Sequence, residues 1–330
     1  MAVWSERKLI DRIRQNAAKR SADVLLSIGD DCCEVATGAH TLLSTDTLVD
    51  LVHFDTSFHP PYLLGRKSIA VNLSDIAAMG AIPRFVLLAL CLPKDLEQQW
   101  IDSWLDGALS MLQEFDCILV GGDTVTGPNL VFTVTVLGDP VAEGAIYRSG
   151  AAVGDSVWVS GCLGSAGAGL ELLNFQKKNA AKIDIDIWKV LCDAHLNPEP
   201  QIALGLKLAR SKRVTAMQDI SDGLATDLAH ICRASKVAAK IDLSLLPRHN
   251  SLQGAADFLG MQLSDLMLRA GEDYQLVFTV RKGAEGAFVD YIGAEKQLVS
   301  KIGEIIEGQG VFLQTGETVE NIAFQGYEHR

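Results

Sequence analysis

No apolar run in the 330-residue sequence approaches the length of a membrane span, so nothing in it reads as a transmembrane segment. Basic residues are not in excess. Lys and Arg number 29 against 41 Asp and Glu, giving a formal net charge of −12, which argues against a nucleic-acid binder. None of the seven cysteines forms a Cys-x-x-Cys pair, and several lie inside apolar runs. Reduced thiols packed in a cytoplasmic protein are expected, not a disulfide framework. Cys32-Cys33 follows two aspartates, and a strand edge is its expected place, with a metal or redox role as the alternative. Met1 to Arg20 alternates in charge, with Leu9, Ile10 and Ile13 at helical spacing, and lacks the apolar centre of a signal peptide. A Walker A loop is missing, as are the His-Arg-Asp and Asp-Phe-Gly pair of protein kinases and a Gly-x-Ser-x-Gly nucleophile elbow.

What the chain does have is a real core and a repeated acidic theme. Its 48% hydrophobic and 21% charged residues fit a globular protein, and the length suits two domains. The apolar run Thr41-Leu42-Leu43 reads as a strand whose exit carries Ser44-Thr45-Asp46-Thr47, a set of hard oxygens suited to Mg²⁺. The theme recurs in Gly29-Asp30-Asp31, Asn72-Leu73-Ser74-Asp75, Gly121-Gly122-Asp123-Thr124 and Asp219-Ile220-Ser221-Asp222-Gly223. Each lies at the edge of an apolar segment. The expectation is that they converge, with Asp46, Asp75 and Asp123 within one cation's reach in one chain or through a neighbouring subunit, on metal ions that hold a polyphosphate. Bound Mg²⁺ would reverse the local sign, so an acidic surface does not exclude a phosphate ligand.

Taken in order, the pattern predicts strands at 24–26, 85–92, 117–120, 130–137, 156–160, 214–217, 240–243 and 275–280, then two more within 299–313. Helices are expected over 61–79, 95–114, from Gly164 onward, from Pro198 to Arg210, and over 223–234. Trp100 and Trp104 face either the core or a partner subunit. Two glycines at the exit of the 117–120 strand would let backbone N–H groups approach a phosphate, or simply make a tight turn. Arg148 sits in a linker and either reaches phosphate oxygens or is a surface residue. Asp222 is a metal ligand or a helix cap. His53 is a substrate contact or a loop residue; its six-residue spacing from His59 does not suit a zinc pair. Glu272 and Asp273 bind substrate or cap a turn, and Phe324-Gln325-Gly326-Tyr327 either closes over a flat ring or docks on the core.

Singly, each acidic motif is weak; the ordered set is specific. Ile28-Gly29-Asp30-Asp31, Ser44 to Thr47, Ala70 to Asp75 with Ala77 to Gly80, Val120 to Thr124, Arg148-Ser149-Gly150, Asp219 to Gly223 and Gly271 to Tyr274 together resemble the thiamine-monophosphate kinase family, from about residue 23 to the end. That family belongs to a wider group with aminoimidazole ribonucleotide synthetase, selenophosphate synthetase and HypE. The resemblance implies a two-domain α/β (α+β) fold with mixed sheets covered by helices. It divides the chain into an ATP/Mg-binding and dimerisation domain, 1–148, and a domain that completes the site, 149–330. The N-terminal domain would pair in a homodimer.

The implied reaction is ATP plus thiamine monophosphate giving ADP plus thiamine diphosphate, by direct in-line transfer assisted by several Mg²⁺ ions. No covalent or general-base residue is implied. Carried over position by position, Asp30, Ser44, Thr45, Asp46, Asp75, Asp123, Asp219 and Asp222 resemble the Mg²⁺ ligands. Gly121, Gly122, Arg148 and Ser221 resemble the nucleotide contacts, and His53, Glu272 and Phe324 the substrate contacts. Phe324 departs from the family's frequent Trp but keeps a ring that stacks. Cys33, Ala270 and Gln275 are smaller departures. Two other classes compete. One is another ATP-using member of the group, but the early reactive Cys of a selenophosphate synthetase and the C-terminal Cys of HypE have no counterpart in this chain, which ends Tyr-Glu-His-Arg. The other is a non-catalytic Mg-nucleotide sensor, which would have no need of intact Asp46, Asp75 and Asp123.

Overall fold

The computed structural model describes residues 9, 12–13, 15–16, 22–26, 34–179 and 185–328. Asp30, Cys32 and Cys33 lie outside that set. The chain divides into two compact units, 1–76 with 81–140, and 77–80 with 141–330. The boundary expected after Arg148 falls inside the second unit. Ile146 N–H already donates to Met79 O, and Met217 N–H to Tyr147 O, so the backbone before Arg148 is tied into that unit.

The first unit is built on a four-stranded sheet in the order β3 (Leu42–Val49), β6 (Val131–Pro140), β4 (Ala81–Leu92), β5 (Ile118–Thr126). The β4–β5 pair is parallel and the other two are antiparallel. One face carries Leu48, Phe132, Val134, Val136, Val86, Leu88 and Leu90, all buried. Trp104, from the helix Gln98–Glu114, stacks on Phe132 at 4.4 Å and is fully buried, which assigns it to the core and not to a partner. That helix and the helix Pro61–Ala78 cross closely at two glycines. A Cβ on Gly107 would lie 1.8 Å from Tyr62 O, so no larger residue fits there.

The opposite face of the sheet is packed at one end, where Val24 and Val35 lie against Phe85, Ile118 and Val120, and among the described residues it is exposed at the other. It presents Thr45, Thr47, Thr133 and Thr135, whose hydroxyls pair across strands at 3.1 and 2.9 Å, with half-exposed Val125 at the β5 edge. The strands at both edges, β3 and β5, run longer than predicted. Ser44 to Thr47 therefore lies in the middle of a strand, and Gly121 to Thr124 continues one. The reason for the second is a bulge at Val120, after which Leu87 faces Gly121 and the ladder carries on to Thr126.

The second unit holds a seven-stranded mixed sheet ordered β13 (Thr318–Asn321), β12 (Gly310–Thr315), β9 (Ala238–Asp242), β11 (Val299–Ile306), β7 (Ser156–Ser160), β10 (Leu276–Val280), β8 (Val214–Asp219). Its central strands β7 and β10 are buried at every position, which is why they read as continuous apolar runs. Helices Ser165–Asn179, Ile202–Arg210 and Leu224–Ser235 accompany it. Cys91, Cys117, Cys162, Cys192 and Cys232 are all free thiols, and burial pushes Cys192 up to about 11 and Cys232 up to about 12. Such thiols are inert at neutral pH.

Candidate active site

In the first unit the acidic site forms where β3 meets the C-terminal half of the Pro61–Ala78 helix. Side chains alternate along a strand, so Ser44 and Asp46 share the covered face with Leu48. Ser44 Oγ donates to Asp75 Oδ2 at 2.5 Å. Asp46 N–H donates to Asn72 Oδ1 at 3.0 Å, and Asn72 is anchored in turn on Ser68 O. Asn72 and Asp75, three apart on one helix, thus hold consecutive parts of one strand. Asp46 keeps an open side to solvent, yet desolvation of its carboxylate, with the charge of Asp75 second, raises its pKa to about 6. Two carboxylates brought together disfavour each other's charged form, and a divalent cation relieves that.

Two expected members of this group are elsewhere. Thr45 points to the opposite face, where its hydroxyl bonds Val134 O and Thr135 Oγ1. Asp123 is in register with Ala89, Thr133 and Thr47, on that same face and at the opposite edge of the sheet from Asp46. Three strand spacings separate the edges, about 14 Å across the sheet, so no single cation reaches both within one chain. Within one chain Asp46 therefore meets Asp75 and not Asp123, because the strand period and the sheet order set Asp123 apart, which leaves a neighbouring subunit as its route to that pair. Gly122 also has a packing reason: a Cβ there would lie 1.9 Å from Leu88 O. His53 closes a turn just past β3, its Nδ1 accepting from Val49 N–H at 3.1 Å.

The second unit gathers its predicted residues tightly. β8 ends at Asp219, and Ile220 to Gly223 leads into the helix Leu224–Ser235. The segment Gly271 to Tyr274 runs alongside, with Glu272 N–H donating to Ser221 O at 2.8 Å and Tyr274 N–H to Ile220 O at 2.9 Å. A Cβ at Gly271 would lie 2.2 Å from Ser221 O, so only glycine permits this approach. From the C-terminal side, Tyr327 N–H donates to Asp222 O at 2.9 Å, which docks the Phe324 to Tyr327 tail here. The Phe324 ring is 42% exposed, with the Arg233 guanidinium 4.2 Å from its centroid and His230 edge-on. Arg148 is held close to the same helix, its carbonyl accepting from Ser235 Oγ. Desolvation first, then the charges of Arg148 and Arg233, lowers the His230 pKa.

Asp222 is not the helix cap. Gly223 occupies that position with φ +109°, and the capping carboxylate belongs to Asp227. Asp227 Oδ2 accepts from Asp222 N–H and Gly223 N–H, while Oδ1 accepts from Gln218 Nε2. Burial, then the charges of Asp219 and Asp222, pushes Asp227 well above the usual carboxylate range. Ligand atoms of Asp222, Asp227 and His230 lie within 4.8 Å of one another. Asp227 was missed in the sequence, although an Asp in the first turn of a helix is a capping signal. Asp273, adjacent to Glu272, caps the start of another helix: its carboxylate accepts from Gly164 N–H at 2.7 Å and Ala166 N–H at 3.2 Å. The residue is half-buried with that carboxylate turned inward, and desolvation outweighs the N–H bonds to raise its pKa to about 7.

Three of these residues carry backbone strain that no sequence pattern signals. Glu272, Tyr274 and Phe324 have φ of +67°, +46° and +57°, a region that side chains other than glycine disfavour.

Residues 29–139 match the AIR synthase related protein N-terminal domain and residues 152–316 its C-terminal domain. The thiamine-monophosphate kinase of Escherichia coli K12 is 38% identical over 98% of this chain and 96% of its own length. The chain belongs to the thiamine-monophosphate kinase family. The crystal structure of the kinase from Stenotrophomonas maltophilia K279a superposes with a TM-score of 0.82, at 38% identity, covering 95% of this chain and 98% of that one. A structure of AaThiL complexed with AMPPCP and TMP superposes at 0.74, with 31% identity over 95% of each chain.

Proposed function

We propose that this chain phosphorylates thiamine monophosphate to thiamine diphosphate with ATP as donor, in thiamine diphosphate biosynthesis. The observation that carries the reading is identity of 38% over nearly the whole chain to a kinase of that name, supported by the ordered acidic motifs from Ile28 to Tyr274. Transfer is direct and in line, with no phosphoenzyme. The protein's task in such a reaction is positioning and charge neutralisation, not covalent chemistry.

The residues fit Mg²⁺: hard oxygens of Ser44, Asp46 and Asp75 crowd together, and Asp46 stands among them with a raised pKa. Asp30, Thr45, Asp123, Asp219 and Asp222 complete the proposed ligand set. Bound Mg²⁺ ions would neutralise the β- and γ-phosphate oxygens as charge builds during transfer. Gly121, Gly122, Arg148 and Ser221 contact the nucleotide. Glu272, Phe324 and His53 bind thiamine monophosphate, Glu272 facing its cationic ring system and Phe324 stacking on it.

The active form is a homodimer, paired through the first unit. Among the described residues, the threonine-lined part of one sheet face is exposed and the edge strands β3 and β5 have no outer strand neighbour, which is a template for a second copy. In that dimer an Asp123 of one subunit serves the Asp46–Asp75 pair of the other. The 1–148 domain binds ATP and Mg²⁺ and dimerises, and 149–330 completes the nucleotide and substrate site, adding Asp219 and Asp222 to the ligand set. Free thiols at Cys91, Cys117, Cys162, Cys192 and Cys232 support a cytoplasmic location.

Incubation with ATP, Mg²⁺ and thiamine monophosphate, followed by mass spectrometry, tests the reading. Thiamine diphosphate and ADP are expected in equal amounts. Absence of thiamine diphosphate, or γ-phosphate label retained on washed protein, would contradict it.

A further inference from the structure

Glu272 is not held by its backbone alone. His195, in the last turn of the helix Ile185–Leu196, is 1% exposed, and its Nδ1 lies 2.8 Å from Glu272 Oε2. The Glu272 side chain keeps 24% of its surface open, so the pair has one sealed end and one accessible end. The backbone at Glu272 is left-handed, φ +67°, clamped by the N–H bonds of Glu272 and Tyr274 to Ser221 and Ile220. Glycine would suit that conformation without strain, as it does at many turns. A glutamate kept there indicates that its side chain is used.

The neighbouring acid sharpens the point. Asp273 is fully engaged with the N–H groups that open the helix Ser165–Asn179. Of two adjacent carboxylates, one fastens a helix and the other meets a buried imidazole. A glutamate has three side-chain torsions, and a left-handed backbone alone does not select among them. An imidazole anchored in the core does.

We propose that His195 is a positioning residue for substrate recognition: its imidazole, with Nδ1 2.8 Å from Glu272 Oε2, holds that carboxylate toward the cationic part of the substrate. The proposal rests on the reading of the chain as a thiamine-monophosphate kinase. His195 makes no contact with substrate itself. It restricts Glu272 to the rotamer that meets the substrate, and the sealed end keeps water from competing for the contact. The effect is on binding of thiamine monophosphate and not on the nucleotide.

Steady-state kinetics on H195A, H195N and E272Q, with thermal melts of each, test this. Asn presents an amide group near the place of Nδ1. H195A is expected to raise KM for thiamine monophosphate about ten-fold or more, with KM for ATP unchanged and kcat within a few-fold. H195N recovers most of that loss. The double variant H195A/E272Q is no worse than E272Q, because His195 acts only through Glu272. Unchanged KM for thiamine monophosphate in a folded H195A, or equal losses in H195A and H195N that add to E272Q, would overturn the proposal. Should H195A melt too low to assay, H195N against E272Q decides: KM near wild type in the first and raised in the second supports the proposal, and equal elevation refutes it. A wild-type protein that forms no thiamine diphosphate refutes the underlying reading instead, so the two failures are told apart.

Discussion

Asp46, midway along β3 in the first unit, and Asp222, just past the end of β8 in the second, are both predicted metal ligands, but their surroundings differ. Asp222 is surrounded within its own unit: Asp227 holds its backbone, the Gly271–Tyr274 segment runs beside Ser221, and the C-terminal tail bonds its carbonyl. Asp46 has Asp75 and Ser44 close by, while Asp123 stands at the far edge of the sheet on the other face. One unit assembles its predicted residues by itself. The other leaves its set divided, with part of a sheet face and two strand edges exposed among the described residues. The lesson is that a family's ordered motifs report which residues share a site, not which chain contributes them.

The largest effect that would sharpen this contrast is at Asp46. D46N leaves Asp75 without its partner, and turnover should fall about 10³-fold or more while the melting temperature changes little, because the side chain is at an open edge. A loss under ten-fold would remove Asp46 from the metal site. D222N is expected to fall into the same range, and a much smaller loss would break the parallel between the units. Next comes Phe324. F324A should raise KM for thiamine monophosphate several-fold, and F324W should restore it, since the ring is 42% exposed and contributes little to the core. Equal defects in both variants would show that the backbone of the tail, and not the ring, matters.

The smallest effect is on stability. Asp273 is raised to about 7 in the folded chain, so between the ordinary carboxylate range and that value the folded state binds more protons than the unfolded one. This group's contribution to stability is therefore fully present at low pH and declines as pH rises toward 7. D273N removes that dependence. Thermal melts of the two proteins between pH 4 and pH 7 should show wild type losing ground relative to D273N by a few degrees. A gap that widens in favour of wild type with rising pH would contradict the sign.

Much of the second unit could be read in advance because its central strands are apolar throughout and its glycines sit where segments touch. The Asp219 to Gly223 and Gly271 to Tyr274 motifs were visible, and β8 and β10 followed from their runs of Val, Met, Phe and Leu. Asp227 escaped notice because a capping carboxylate resembles any other acid in a first turn. His195 escaped because a lone histidine on a helix gives no sign of what lies across from it. In the first unit the error was one of direction. Ser44 to Thr47 reads as four adjacent oxygens, but a strand sends alternate residues to opposite faces. The bulge at Val120 likewise keeps Gly121 to Thr126 in the ladder where two glycines suggested a turn.

Subunit complementation tests the central claim most directly. D46N and D123N homodimers are each expected to be inactive. Refolded or co-expressed together, they form mixed dimers in which one site holds both substitutions and the other holds neither. About a quarter of wild-type activity should then return, from half the dimers having one intact site of two. A mixture as inactive as either variant alone, with mixed dimers shown to have formed, would contradict the account and place Asp46 and Asp123 of each site on the same chain.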